Sequence, residues 1–263
     1  MMRVLTVQDL SCLGKCSLTV ALPVLSAMGC STSVLPTAVL STHTAFREPH
    51  KRDLTEDMRP IVDHWRSIGA EFDAILVGYL SGVSQVSAVE YLWDRMEGLR
   101  ILDPAMGDNG KLYSGISGGQ VVAVTQLCKK ADLLLPNVTE ACLLTNISYR
   151  EDLSEEDYRL MIEILQRKGC KQVVLTGVSL EPGKTGFLTS DGTVYQTEAL
   201  PGHYHGTGDL FAAVCTGALM QGKNLPQAAE KAAKFVEQTI RATGTPTPFG
   251  IAFEPLLASL SDR

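Results

Sequence analysis

Near the end of the chain, His205-Gly206-Thr207-Gly208-Asp209-Leu210-Phe211-Ala212-Ala213 sets two glycines around a threonine and a carboxylate at the opening of an alanine-rich, helix-forming run. A helix start presents unpaired backbone N–H groups and the positive end of the helix dipole. Glycines let that backbone approach an anion closely, so the segment suits a phosphate. A carboxylate has no place in a pure anion site. It belongs there if a group beside the phosphate must lose a proton, as an alcohol does when it is phosphorylated. The same residues also make a plain turn with Asp209 capping a helix. On these nine residues alone both readings stand.

Other polar groups follow short apolar runs. After Leu99–Leu102 comes Asp103-Pro104-Ala105-Met106-Gly107-Asp108. Its two carboxylates suit a nucleotide-bound divalent cation, held directly or through water, or an acidic turn stiffened by proline. After Leu133–Leu135 comes Pro136-Asn137-Val138-Thr139-Glu140. Asn137 and Glu140 form a capping-box pattern; alternatively Glu140 orders magnesium-bound water and Asn137 faces phosphate. Thr176-Gly177, closing the run Gln172–Thr176, is either a turn or a contact to nucleotide phosphates. Asp9, after the first apolar run, and Thr44, in Ser41-Thr42-His43-Thr44, can hydrogen-bond a small polar ring. Tyr79 follows Ala74–Gly78 and suits ring contact or core packing. His203 and His205 read as surface or packing histidines. No G-x-x-x-x-G-K-[ST] occurs, because Gly14-Lys15-Cys16-Ser17 lacks the upstream glycine, and no G-x-G-x-x-G follows the first run. The phosphate seat therefore lies late in the chain.

These residues need strands and helices to position them. Strands are expected at Arg3–Val7, Ser33–Leu40, Ala74–Gly78, Leu99–Leu102, Leu133–Leu135 and Gln172–Thr176, with a hairpin of Gly186–Thr189 and Thr193–Thr197 around Ser190-Asp191-Gly192. Helices are expected at Ser17–Met28, Asp57–Ile68, Ser84–Glu97, Glu155–Lys168, Asp209–Gln221 and Leu225–Ala242. The alternation implies an α/β fold with a mostly parallel sheet covered on both faces, over 263 residues read as one domain. In such sheets ligands sit at the carboxyl ends of the strands, where the polar residues above fall. A 45% hydrophobic, 20% charged chain suits a soluble globular protein. The net charge of −6 without a basic cluster argues against nucleic acid. No run approaches membrane-spanning length, and the amino terminus reads as a strand rather than a signal peptide. Seven cysteines without a C-x-x-C pair read as reduced thiols of a cytoplasmic protein.

The order Asp-Pro-x-Met-Gly-Asp, Pro-Asn-x-x-Glu, Gly-Thr-Gly-Asp resembles the ribokinase-like superfamily. Gly206–Ala213, together with Ser41–Thr44 and Gly78-Tyr79, is similar to its pyridoxal kinase branch; the likeness runs from Val4 to Leu257. The resemblance implies a three-layer sandwich around a central, mostly parallel sheet. It also implies ATP-dependent phosphorylation of the 5′-hydroxymethyl group of pyridoxal, pyridoxamine or pyridoxine. By the same resemblance Asp209 is the catalytic base, and the backbone N–H groups of Gly206, Thr207 and Gly208 form an anion hole. Asp103, Asp108 and Glu140 support magnesium, partly through water. Asn137 and Thr176 lie near the ATP phosphates with Gly208, and Asp9, Thr44 and Tyr79 line the pyridine pocket. A homodimer and a monovalent cation such as potassium are further implications. Two departures stand out. Asp9 replaces the serine common in that branch, and could pair with a protonated ring nitrogen or a substrate amine, which would favour pyridoxamine. Residues 45–52 are more charged than expected and read as a lid. The rival readings are hydroxymethylpyrimidine kinase, whose usual Gly-Gly-Ala-Gly-Ile-Gln stretch is replaced here by Leu10–Ser17, and a non-catalytic vitamer-binding protein.

Overall fold

In the computed structural model, which describes residues 1–261, the strands expected to be buried on both faces do divide their side chains between two cores. The elements run β1 (Arg3–Leu13), α1 (Leu18–Ala27), β2 (Ser31–Thr42), β3 (Lys51–Asp53), α2 (Thr55–Ser67), β4 (Ala74–Val77), α3 (Val83–Trp93), β5 (Leu99–Leu102), β6 (Gly107–Asp108) and β7 (Lys111–Leu112). They continue through α4 (Gly118–Cys128), β8 (Leu133–Leu134), α5 (Val138–Thr145), α6 (Glu155–Arg167), β9 (Gln172–Val178), β10 (Lys184–Thr189), β11 (Val194–Glu198), α7 (Thr207–Met220) and α8 (Leu225–Thr243). A 3-10 helix, Glu254–Leu260, follows. Nine strands form one sheet in the order β11-β10-β9-β8-β5-β4-β1-β2-β3, and β6-β7 is a separate hairpin. The six strands from β9 to β2 are mutually parallel; β3 and β10 run against their neighbours.

Leu5, Val7, Ile75, Val77, Leu102, Leu134 and Val173 face the core covered by α2 to α6. Val4, Ala74, Leu76, Ile101, Leu133 and Val174 face the core covered by α1, α7, α8 and the terminal 3-10 helix. The period of two along each strand thus splits near-continuous apolar runs between both helical layers. On the second face α1 and α7 pack very closely: a Cβ on Gly217 would lie 2.4 Å from the Met28 sulfur.

β1 starts the sheet in its middle. The chain steps to β2 on one side, then returns to place β4 on the other, so the topological switch falls between β1 and β4. A ligand crevice is expected outside the carboxyl ends there. β1 pairs with β4 only from Val4 to Val7 but with β2 as far as Leu13 opposite Thr42, with an irregularity between Gln8 and Leu10. The two strands therefore overhang the sheet as a ribbon. Of the expected lid, Lys51 and Arg52 instead pair as β3 against Val39 and Leu40 at the sheet edge, with Arg47 and Glu48 exposed before them. Among the described residues no helix is long and apolar enough to cross a membrane. All seven cysteines are free thiols, with Cys30, Cys128, Cys142, Cys170 and Cys215 buried.

Candidate active site

The carboxyl ends of β1, β2, β4, β5, β8 and β9 and the amino terminus of α7 enclose a cavity of about 900 Å³, large enough for two small ligands side by side. Every residue singled out from the sequence lines it: Asp9, Thr44, Tyr79, Asp103, Asp108, Asn137, Glu140, Thr176 and Gly206 to Asp209.

At one end stands the start of α7. Gly206 is its N-cap in the left-handed region, φ 87°. A Cβ there would lie 2.2 Å from the Lys15 carbonyl oxygen, so only glycine lets the turn pack against the loop before α1. The first intrahelical bond runs from Leu210 N–H to the Gly206 carbonyl at 2.9 Å. The N–H groups of Thr207, Gly208 and Asp209 precede it and have no partner along the helix. The Thr207 hydroxyl donates back to the Tyr204 carbonyl at 3.2 Å, leaving its backbone to face the cavity. Asp209, half-buried in this first turn, has its carboxyl pushed up to about 7 by burial and then by the charge of Asp103, with the Ser17 N–H opposing the rise.

Beside it lie the other acids. Burial, then the charge of Glu140, holds Asp103 well above the usual carboxylate range. Glu140 is 2% exposed and pushed up to about 7 by burial, against the backbone donors that partly stabilise its charge. It accepts the N–H of Asn137 at 2.9 Å and that of Met106 at 2.8 Å. Asn137 accepts the Glu140 N–H at 2.9 Å and donates to the Gly107 carbonyl at 2.8 Å. The capping box of α5 is therefore real, and the same two side chains fasten the Asp103–Asp108 loop over it. Asp108 is occupied by the Asn109 backbone N–H at 2.9 Å and its side-chain amide at 3.0 Å. Thr176 donates its N–H to the Pro136 carbonyl at 2.9 Å, bringing β9 against the same turn. A chamber of about 40 Å³ lined by Asp103, Asn137, Glu140, Thr176 and Gly208 opens beneath the helix start.

Among the described residues no three His, Cys, Asp or Glu are gathered tightly enough to hold a metal alone. The donor set nonetheless suits a hard divalent cation carried in on phosphate. It is made of oxygens, it leaves repelling carboxylates without a countercharge, and such an ion keeps much of its water.

The other end of the cavity is small, aromatic and polar. Asp9 is 3% exposed and accepts the Ser17 hydroxyl at 2.6 Å and the Ser11 hydroxyl at 2.9 Å. Tyr79 stands near it, its hydroxyl pushed up by burial and by Asp9. The His205 ring packs 4.8 Å from those of His43 and His203. Burial, His43 and His203 lower its basicity. The two histidines before α7 pack against each other and also line the cavity.

Two features escaped the sequence reading. Tyr113, just after the β6-β7 hairpin, lines the cavity beside the acids, its hydroxyl pushed up by burial and then by Glu140. An apolar slot among Gly186, Phe187, Tyr195, Ala233, Val236 and Ile240 extends the cavity outward past the start of α7. The usable signal for it was a glycine inside a strand: a Cβ on Gly186 would lie 1.8 Å from the Tyr195 carbonyl oxygen.

A three-layer sandwich with a helix start and a carboxylate at the switch-point end of its sheet is the architecture of a ribokinase-like kinase. The chain belongs to the family described as phosphomethylpyrimidine kinase, whose sequence pattern matches residues 22–252, and falls in the pyridoxal kinase branch of that fold. It is similar to a provisionally named phosphomethylpyrimidine kinase from Bacteroides thetaiotaomicron VPI-5482, crystallised with pyridoxal: 38% identical, TM-score 0.92, covering 98% of this chain and 95% of that one. The pyridoxal kinase from Lactobacillus plantarum is 33% identical with TM-score 0.90, over 99% and 96% of the two chains. The hydroxymethylpyrimidine/phosphomethylpyrimidine kinase of Haemophilus influenzae is 30% identical over 177 residues, 62% of this chain and 63% of that protein.

Proposed function

We propose that the protein transfers the γ-phosphoryl group of ATP to the 5′-hydroxymethyl group of a vitamin B6 vitamer, as a single cytoplasmic kinase domain. The observation that carries this is Asp209 in the first turn of α7, beside unpaired backbone donors and between a phosphate-sized seat and a small ring pocket. The similarity to a pyridoxal kinase and to a kinase crystallised with pyridoxal supports the choice of ring.

In this reading Asp209 accepts the alcohol proton as the oxygen–phosphorus bond forms. The N–H groups of Gly206, Thr207 and Gly208 hold the charge of the transferring phosphoryl group in place, which is most of what such a reaction needs. Asn137 and Thr176 face the ATP phosphates, and the slot between β10, β11 and α8 takes the rest of the nucleotide. Asp103, Asp108 and Glu140 would hold magnesium, partly through water; bound there, it would offset phosphate charge. Asp9, Thr44 and Tyr79 surround the ring. A homodimer and potassium assistance belong to the same reading.

The base must be ionised to work, and Asp209 sits at about 7. The acid limb of kcat/KM for the alcohol should therefore fall about tenfold per pH unit below that point and flatten above it. A pH profile flat from about 5 to 8 would reject Asp209 as the base.

The family description and the Haemophilus influenzae relative favour a second reading, in which hydroxymethylpyrimidine is the acceptor. ADP release with Mg-ATP and pyridoxal, pyridoxamine, pyridoxine or hydroxymethylpyrimidine decides between them. Turnover on the B6 vitamers, lost in Asp209→Ala, is the expected result. Turnover on the pyrimidine alone supports the second reading, and tight vitamer binding without turnover leaves a carrier.

A further inference from the structure

Asp9 occupies the irregularity of β1 between Gln8 and Leu10, and its buried carboxylate lines the ring end of the cavity. Two serine hydroxyls fix it, one on each oxygen. Hydroxyls orient a carboxylate without neutralising it. Burial pushes its carboxyl up, and of the titratable groups facing it His43 offers the one favourable charge, the least of the influences that oppose the rise. Tyr79 and Cys16 keep their protons, both pushed up by burial and by Asp9 itself, and Asp209 is another acid. The hydrogen bonds of His43 run elsewhere. Its Nε2 lies 2.7 Å from the Pro248 carbonyl oxygen and so donates to it, while its Nδ1 faces the Ala45 N–H at 3.4 Å. A buried carboxylate with no cation bonded to it is costly, and one that opens on a cavity is satisfied by a positive group on the ligand.

We infer that Asp9 is a specificity-determining residue that pairs with a protonated ring nitrogen of the substrate, selecting a pyridinium over a neutral pyrimidine. This rests on the B6 reading above and sharpens it. In a 3-hydroxypyridine the ring nitrogen is basic enough to hold a proton in neutral water while the hydroxyl ionises. In a pyrimidine the second ring nitrogen withdraws density and makes that proton harder to keep. The ring nitrogen is common to all three vitamers, so the pairing gives no preference for pyridoxamine; a contact to its side-chain amine would.

The test measures kcat and KM with Mg-ATP for pyridoxine, pyridoxamine, hydroxymethylpyrimidine and the pyridoxine analogue with C–H in place of the ring nitrogen. Wild type should prefer pyridoxine over that analogue by at least about tenfold, carried mainly in KM. Asp9→Asn should close most of this gap. An unchanged gap in Asp9→Asn, or a loss confined to pyridoxamine, overturns the inference while the B6 reading stands. No turnover of any vitamer by wild type overturns both. If Asp9→Asn does not fold, wild type alone decides. A gap that narrows as pH rises past the point where the ring nitrogen loses its proton supports the pairing; no gap, or one indifferent to pH, rejects it.

Discussion

Asp209→Asn is expected to lower kcat by at least about a hundredfold, the low end for loss of a general base, and at the same time to raise the melting temperature at pH 8. Both effects come from the same burial. A carboxyl whose folded pKa stands near 7, against the usual 3.8, holds its proton more tightly in the folded state. Its relative contribution to stability is full below the unfolded pKa and is lost as pH rises through about 7. Above that pH the ionised group, crowded by Asp103, is a net cost of on the order of 1–3 kcal/mol. Asparagine keeps the shape and removes the charge, which should lift the melting temperature by about 2–8 °C at pH 8. The gain should shrink at pH 5, where the native carboxyl is already protonated. Calorimetry at the two pH values, alongside single-turnover kinetics, checks both halves. Turnover within tenfold of wild type would remove Asp209 from the chemistry. An equal change in melting temperature at both pH values would show that its charge is not what burial opposes.

Gly206→Ala is expected to be worse for the fold and comparably bad for the reaction. The added methyl meets backbone, the Lys15 carbonyl at 2.2 Å, and the residue would still have to hold φ 87°. Neither can be relieved by a side-chain rotation. The turn must move, at a cost of about 1–3 kcal/mol, and the N–H groups of the proposed anion seat move with it. Loss of such donors typically costs about 10²–10³ in kcat. Gly208→Ala is the control. Its Cβ would meet only the Asp103 carboxylate, at 4.0 Å, from an ordinary helical position. It should melt at or above the wild-type temperature. If Gly206→Ala keeps both its melting temperature and its kcat, the turn is not the anion seat.

The sequence made some of this plain for local reasons. Leu99–Leu102 was bounded correctly because an apolar run ends in Asp-Pro, and the helix expected at Leu225–Ala242 ends one residue later, at Thr243, because Asn224, Pro226 and an amphipathic period agree on its course. The gathering of Asp9, Thr44, Asp103, Asn137, Thr176 and Asp209 in one cavity follows from parallel strands, which bring every carboxyl end to one edge. What escaped depends on partners far along the chain. β1 extends six residues beyond its expected end because β2 accompanies it, and Asp9 and Leu10 carry no strand signal of their own. α4 opens on Gly118-Gly119, which reads as loop until Ser117 caps it. α5 showed only its cap, because its eight residues are nearly all buried and give no amphipathic period. β3, β6 and β7 are two or three residues long and exist only through pairing.

The ribbon formed by β1 and β2 has a bearing on how such a protein changes over generations. Asp9 and Ser11 ride on that overhang, where β1 has no strand on its outer side and β2 has only the three-residue β3, and His43 and Thr44 follow directly from its end. Asp103, Asn137 and Thr176 instead root in strands flanked on both sides, and α7 lies across the sheet. In the function proposed above, the half of the cavity that meets the ring thus hangs on fewer flanking strands than the half that meets phosphate. Substitutions in the first can redraw the accepted ring without disturbing the second. One scaffold can then diversify in vitamin while its phosphate chemistry stays put, as befits a family whose members carry names for both a pyrimidine and a pyridine alcohol.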